Sequence, residues 1–380
     1  MAVYKQSNGT WQVRMRSPEG RQITKRGFAT KREAQAWESE SKRSMATCTW
    51  TAASGGRVPV YAVFDSWIEA KRVTERTKHD YREVWSNLVE PAWGSKQLKD
   101  VSPTGLTRWL SDLASKYSAA RVRKAHAILN QSLDWAVADN LIPVNPLVRA
   151  KVLANGDLLP RVRRERDPIY LAAPQVQDLA DRVDPHYRPF VLTAVWTGLR
   201  FGEITELRVR DVDLLARRIH VRRAVSDVGG RLVVGTTKGG QERVVPILSS
   251  ISGRLAEAIE SAGSPDSLLF TTKNGAQIRY RRFRSDVFDP AVSAAGISGL
   301  TPHGLRHTYA ALAVQAGANP RLLMQALGHS DIRLTLQTYG GLFGDDLDAL
   351  AERLNDVATK PSHEADVVNL LSPRPSGTDD

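Results

Sequence analysis

The stretch TPHGLRHT, residues 301–308, sets His303 and His307 four residues apart with Arg306 between them. Two imidazoles one helical turn apart can share a divalent metal, and a histidine three residues before an arginine can grip a phosphate. The metal arrangement fails on its own residues. In an H-E-x-x-H helix the glutamate activates the metal-bound water, and Gly304 stands at that place here. A guanidinium between the ligands would repel the ion, and with Cys48 the sole cysteine no thiolate cluster can form. No metal and no other cofactor is expected. The phosphate arrangement fits better: His303 and Arg306 share a helix face, and arginine's planar fork stays charged and takes two oxygens at once.

A phosphodiester under attack gathers charge on its non-bridging oxygens, and two guanidiniums stabilise that charge better than one. A second arginine stands in TGLRFGEITEL, where Arg200 follows a Gly-Leu turn and opens a helix, with Glu203 one turn on to hold it. The segment GANPRLLMQALGHSDIRLTLQTYGG then adds His329, after Leu-Gly, and Tyr339 ten residues later. Each has a plainer role when taken alone. Arg200 and Glu203 could be a surface pair, His329 a satisfied helix-end histidine, Tyr339 a core aromatic and His307 a packing or supporting residue.

Several elements must position these side chains. At the N-terminus, TWQVRMRSPEGRQITKRGF alternates as a strand, a SPEG turn and a second strand from Arg21. A polar helix follows from Thr30, with Thr30 and Glu33 placed as a capping box. TAASGGRVP (51–59) has the composition of a linker. From Val60 to about Val148 the pattern is helical. Val63, Phe64, Trp67 and Ile68 make one stripe, Tyr81, Trp85 and Leu88 another, and Leu106, Trp109, Leu110 and Leu113 a third, opened by Ser102 and Pro103. A fourth carries Ala125, Ile128, Leu129, Leu133 and Ala136, and Pro143 and Pro146 are expected to end the bundle. The stripes are read as core, not as base-stacking platforms. Residues 147–167 read as a basic linker, and beyond them helices mix with three short antiparallel strands, 217–225, 231–237 and 242–247, turning at DVGG and KGGQ. Helices return from Pro302 to about Leu354.

Composition narrows the partners. The net charge is +12, with ten Lys/Arg against four Glu in residues 1–50 and four arginines in RVRRER (161–166). That distribution points to a polyanion whose counterions are released on binding. The last 25 residues are acidic, five Asp/Glu against two Lys/Arg. The longest apolar run, FVLTAVWTGL from Phe190, is half the ~20 residues that a bilayer span needs. No apolar leader opens the chain, so the cytoplasm is the expected location and no membrane partner is expected.

Arg200 in TGLR-x-x-E, His303 and Arg306 in H-x-x-R, His329 in LGH and Tyr339, in this order across 190–341, resemble the catalytic domain of the tyrosine site-specific recombinases, the phage integrase family. The resemblance adds Lys238, because TTKGGQERVVPI is similar to the family's hairpin turn before a strand ending in Val-Pro. It implies a multidomain fold: a small α+β N-terminal domain (1–50) of three strands and a helix that binds arm-type sites, an all-α core-binding domain (60–150), and a mixed α+β, mainly helical catalytic domain (168–355) of the DNA breaking-rejoining type. A linker at 51–59, a basic linker at 151–167 and an acidic tail at 356–380 complete the organisation.

The roles implied are Tyr339 as nucleophile, forming a 3′-phosphotyrosine and releasing a 5′-hydroxyl, and His303 as base for a phenol of pKa ~10. Lys238 is the acid for the leaving oxygen. Arg200 and Arg306 hold the non-bridging oxygens, and His329 adds a hydrogen bond. Double-stranded DNA with core-type and arm-type sites, a homotetramer working through a Holliday junction, and the bacterial host's cytoplasm and nucleoid follow from the same resemblance. A host DNA-bending protein and an excisionase are accessory partners that it leaves open. The apolar run ADVVNLL (365–371) is expected to dock on a neighbouring subunit. A type IB topoisomerase, another mobile-element recombinase and a non-catalytic DNA-binding regulator are the rival classes.

Overall fold

A computed structural model describes residues 2–16, 20, 22–46, 55–154, 156–161, 169–237, 239–343, 351, 352, 354 and 355. Lys238, most of the SPEG turn, most of RVRRER and the acidic tail with ADVVNLL lie outside the described residues.

The N-terminal strands β1 (Ala2–Lys5), β2 (Trp11–Arg16) and β3 (Gln22–Phe28) form an antiparallel sheet in the order β1-β2-β3. Alternation along β2 buries Val13 and Met15 and turns Arg14 and Arg16 outward. Helix α1 (Lys31–Ala46) starts at the expected box. The Glu33 amide donates to Thr30 Oγ1 at 3.2 Å, and Glu33 Oε2 accepts from the amides of Ala29 at 3.0 Å and Thr30 at 3.4 Å.

Next come α2 (Val60–Ala70), α3 (Glu75–Val84), a π-wound continuation (Trp85–Gly94), α4 (Pro103–Lys116), α5 (Ala119–Ala138) and α6 (Pro146–Leu153). The aromatic stripes are core: Phe64 stacks on Trp85 at 4.0 Å and Trp93 meets Trp109 edge-on at 6.2 Å. Ser102 caps α4 through the Gly105 amide at 3.2 Å.

Pro146 does not end the bundle. It opens α6, because proline suits the first helical position, where its missing N–H is no loss. Asn145 caps that helix, accepting from the Leu147 amide at 2.9 Å while its own amide donates to Asp134 at 2.7 Å. Leu147 and Ala150 are buried, and Leu158 and Leu159 pack on the same core, so the segment expected to be linker is partly structural.

The chain gathers into two units, Met1–Pro168 with Ser226–Val233, and Ile169–Val225 with Val234–Asp380. The second unit contains α7 (Ala173–Arg182), α8 (Arg188–Thr197), α9 (Phe201–Ile204), β4 (Val212–Asp213), β5 (Arg218–Val221), β6 (Arg223–Val228) up to Val225, and β7 (Arg231–Thr236) from Val234. It continues with β8 (Arg243–Pro246), α10 (Ser249–Ala262), α11 (Tyr280–Phe283), α12 (Asp289–Ala294), α13 (Gly304–Gln315), α14 (Pro320–Leu327) and α15 (Ile332–Tyr339). Helix α8, buried at Phe190, Val191, Leu192 and Val195, is its centre and packs against α7, α10 and α13.

The strands differ from the expected trio. Residues 217–225 break at Arg222 into β5 and β6, which join different sheets, β4-β5-β8 and β6-β7. Ile219 and Val221 of β5 are buried together with Val245 of β8, whereas β7 has five exposed residues in six. Burial therefore selects β8 as the partner of β5, and β6 and β7 pair as a separate ribbon. No glycine or proline marks that break in the sequence. Among the described residues, no helix is long and apolar enough to cross a membrane.

Candidate active site

Helix α8 ends at Gly198, in the left-handed conformation with φ 62°, where a β-carbon would come 2.4 Å from Tyr309 Cδ1. Only glycine fits that turn, which delivers Arg200 to the start of α9. Arg200 donates from its amide to Glu203 Oε2 at 2.8 Å, from Nη1 to Glu203 Oε1 at 3.0 Å and from Nη2 to the Gly328 carbonyl at 3.0 Å. Glu203 is 1% exposed and also receives Arg243 from β8, with Nη1 at 2.9 Å from Oε1 and Nη2 at 2.6 Å from Oε2. Burial pushes the Glu203 carboxyl up. The hydrogen bonds and charge of Arg243, with the amide and charge of Arg200, outweigh burial and hold it below the usual carboxylate range.

Arg306, on α13 and 3% exposed, donates Nη1 to the Gly198 carbonyl at 2.7 Å and Nη2 to the Leu327 carbonyl at 2.6 Å. Arg243 Nε reaches the Ala326 carbonyl at 3.0 Å. Three consecutive carbonyls at the end of α14 are thus each met by a different arginine. The last carbonyls of a helix have no intrahelical donors and carry its negative dipole end, so they fix where the guanidiniums gather. Burial, then the charge of Arg200, pushes Arg306 down to about 9, with Glu203 opposing and Arg243 adding to the shift, so it stays cationic at neutral pH. Three guanidiniums around one carboxylate leave a positive surplus suited to an anion.

The left-handed Gly328 closes α14 and sets out His329. His329 Nδ1 lies 2.8 Å from Oγ1 of the buried Thr335. Burial first, then the charges of Arg306, Arg200 and Arg243, push the imidazole down to about 4, so it is neutral at pH 7. A Thr335 hydroxyl that donates to Nδ1 leaves the proton on Nε2, the tautomer that can donate to a phosphate oxygen, whereas one that accepts leaves Nε2 bare.

Tyr339, the last residue of α15, is 2% exposed among Ala310, Leu323 and Leu327. Burial pushes its phenol up to about 12 against the opposing charges of Arg306 and Arg200. Its ring is parallel to that of His329 at 6.5 Å. Its hydroxyl lies 2.9 Å from Nδ1 of His307, whose ring meets His303 edge-on at 4.9 Å. Among the described residues no group of three or more His, Cys, Asp or Glu side chains is placed to hold a metal ion.

Arg200, Glu203, Arg306, His329 and Tyr339 therefore come together, with His303 beside them through His307. Two participants were not singled out from the sequence. Arg243 was hidden in a segment read as a strand, although an arginine two residues after the KGGQ turn was a usable signal. His307 was read as a packing or supporting residue, and nothing local revealed that it meets Tyr339.

The phage integrase family model matches residues 170–342, and an arm DNA-binding domain model matches residues 1–45. A putative prophage phiRv2 integrase of Mycobacterium tuberculosis is 30% identical over 361 residues, spanning 91% of this chain and 92% of the relative. Among solved structures, the Tn1549 transposon integrase in complex with circular intermediate DNA superposes with a TM-score of 0.65 at 19% identity, covering 79% of this chain and all of that one. A lambda integrase tetramer bound to a Holliday junction gives 0.57 at 16% identity, over 87% of this chain and 95% of that one. The fold is shared with both. With an ordered arginine, histidine and tyrosine site inside the matched region, and a relative alike over nearly its whole length, the chain belongs to the phage integrase family and is a site-specific tyrosine recombinase.

Proposed function

We propose that the chain integrates a phage genome by cleaving and rejoining DNA at attachment sites, through a 3′-phosphotyrosine and a Holliday junction. The convergence of Arg200 and Arg306 on the carbonyls beside Tyr339 carries this reading. The Tyr339 oxygen attacks the scissile phosphorus, the bond to the 5′ oxygen breaks, and the electron pair leaves with that oxygen. Lys238 supplies its proton, and His303 is the base that takes the phenolic proton. Arg200 and Arg306 hold the non-bridging oxygens and His329 donates from Nε2. The covalent bond conserves the phosphodiester, so religation uses neither ATP nor a metal. Residues 1–50 bind arm-type sites, 60–150 and the catalytic domain 168–355 grip core-type sites, and four copies assemble on DNA. The apolar run ADVVNLL (365–371) docks on a neighbouring subunit. The site of action is the cytoplasm of a bacterial host, in association with its nucleoid.

The test is a nicked suicide duplex carrying the chain's own core site, obtained by sequencing the junction of the excised circle. Wild-type protein should form a covalent adduct. Tyr339→Phe should bind the duplex equally and form none, and an adduct in that variant would remove Tyr339 from the nucleophile's role.

A further inference from the structure

The imidazole on the nucleophile's oxygen is not the one in the H-x-x-R pattern. His307 stands on α13 beside Arg306, half-buried, with Nδ1 2.9 Å from the Tyr339 hydroxyl and the two rings 5.6 Å apart at 59°. Apolar neighbours on α13 and α14 fix the plane of the tyrosine ring, but they leave the direction of its O–H undetermined.

We propose that His307 is a positioning residue for strand cleavage: its Nδ1 accepts the hydrogen bond of the Tyr339 phenol and holds the nucleophilic oxygen beside Arg306 of the same chain before DNA arrives. The proposal rests on Tyr339 being the nucleophile.

The geometry supports it in two ways. The bond ties the end of α15 to the helix that carries the Arg306 guanidinium, so nucleophile and clamp share one frame. Leu342 and Phe343 pack on the same cluster as Tyr339, so the chain just beyond the tyrosine holds its ring in place and leaves the direction of the hydroxyl to the His307 bond. An acceptor at the phenol also leaves the oxygen's lone pairs free for phosphorus, whereas a donor would occupy one. Burial, then the adjacent Arg306 charge, pushes His307 below its ordinary value, which favours the neutral ring, with one nitrogen free to accept, and makes it a poor final holder of the proton. That is why it positions the phenol and does not serve as its base.

The experiment uses the full chain and the suicide duplex with three variants, His307→Asn, His307→Gln and His307→Phe. The asparagine amide can place its oxygen where Nδ1 stands, since both atoms are bonded to Cγ. Glutamine carries its amide one carbon further out, and phenylalanine keeps the ring without a nitrogen. Misplacing a reacting atom by about 1 Å costs roughly 100-fold. Single-turnover cleavage should therefore fall about 30- to 100-fold in the glutamine and phenylalanine variants, with DNA affinity within about twofold of wild type. Asparagine should recover most of that loss and keep the shape of the pH–rate profile. The carbon-13 shift of the Tyr339 ring in DNA-free protein should move in the phenylalanine variant and return in the asparagine one. Cleavage as slow in asparagine as in glutamine would make His307 a base and overturn the proposal, as would wild-type cleavage in all three. The asparagine and glutamine pair decides the matter if phenylalanine does not fold. An adduct in Tyr339→Phe would instead reject the underlying nucleophile assignment.

Discussion

Replacing Glu203 by glutamine should loosen the whole candidate active site. The carboxylate is 1% exposed and binds the Arg200 guanidinium once and that of Arg243 twice, at 3.0, 2.9 and 2.6 Å, besides the Arg200 amide at 2.8 Å. Glutamine keeps the shape but removes the charge, and its NH₂ group must face a guanidinium that can only donate. Removing one partner of a buried ion pair costs about 3–5 kcal/mol, because the remaining charge is left uncompensated. Here three guanidiniums would remain together, so the upper half of that range applies, lowered only by what the amide oxygen still accepts. About 3 kcal/mol corresponds to a factor of roughly 150 in local opening, at 1.36 kcal/mol per tenfold. Hydrogen–deuterium exchange on the full chain reads this directly, because amides of α9 and α14 exchange through such openings. Both segments should exchange more than about 100-fold faster while α2 and α5 stay unchanged. The sign with pH follows: a carboxyl whose folded value lies below its unfolded one stabilises above the unfolded value and loses that stabilisation as pH falls through the folded one. Wild type should thus weaken in acid at α9, and the variant should lose that dependence. Exchange at α9 within about threefold of wild type would refute the claim that Glu203 holds the arginines together.

Two further outcomes follow from the same geometry. Gly198→Ala meets Tyr309 at 2.4 Å in a left-handed turn, and should destabilise the catalytic unit by about 2–4 kcal/mol and slow cleavage, read by calorimetry and adduct formation. His329, pushed down to about 4 mainly by burial and then by the arginine charges, should titrate well below the usual 6.5 in free protein. Added vanadate should raise that value by offsetting the arginines, and NMR titration showing no change would place the anion elsewhere. Because the folded value is the lower one, this group's stabilisation is present above pH 6.5 and is lost as pH falls towards about 4.

Local chemistry was readable along the chain wherever neighbours in sequence decide it. The capping box of Thr30 and Glu33, the Ser102 cap of α4 and the aromatic stripes at 60–136 are set by residues three or four apart, and they form as their spacing requires. The order Arg200, His303, Arg306, His329, Tyr339 named the chemistry for the same reason, since each motif is a short window. The split at Arg222 was not readable, because β5 and β6 are equally good strands and only burial of Ile219 and Val221 against β8 separates them. Nor was the helix opened by Pro146, where a proline can stop one helix or start another and the Asn145 hydrogen bonds choose.

Tertiary structure alone made the candidate active site out of these windows. Arg243 reaches Glu203 across 40 positions, Arg306 reaches Leu327 across 21 and Gly198 across 108, and His307 meets Tyr339 across 32. Such pairs leave no period in the sequence, because they depend on where helices end in space. The last carbonyls of α14 are open acceptors only once that helix has stopped at Gly328, and three arginines from three other elements then have one place to converge.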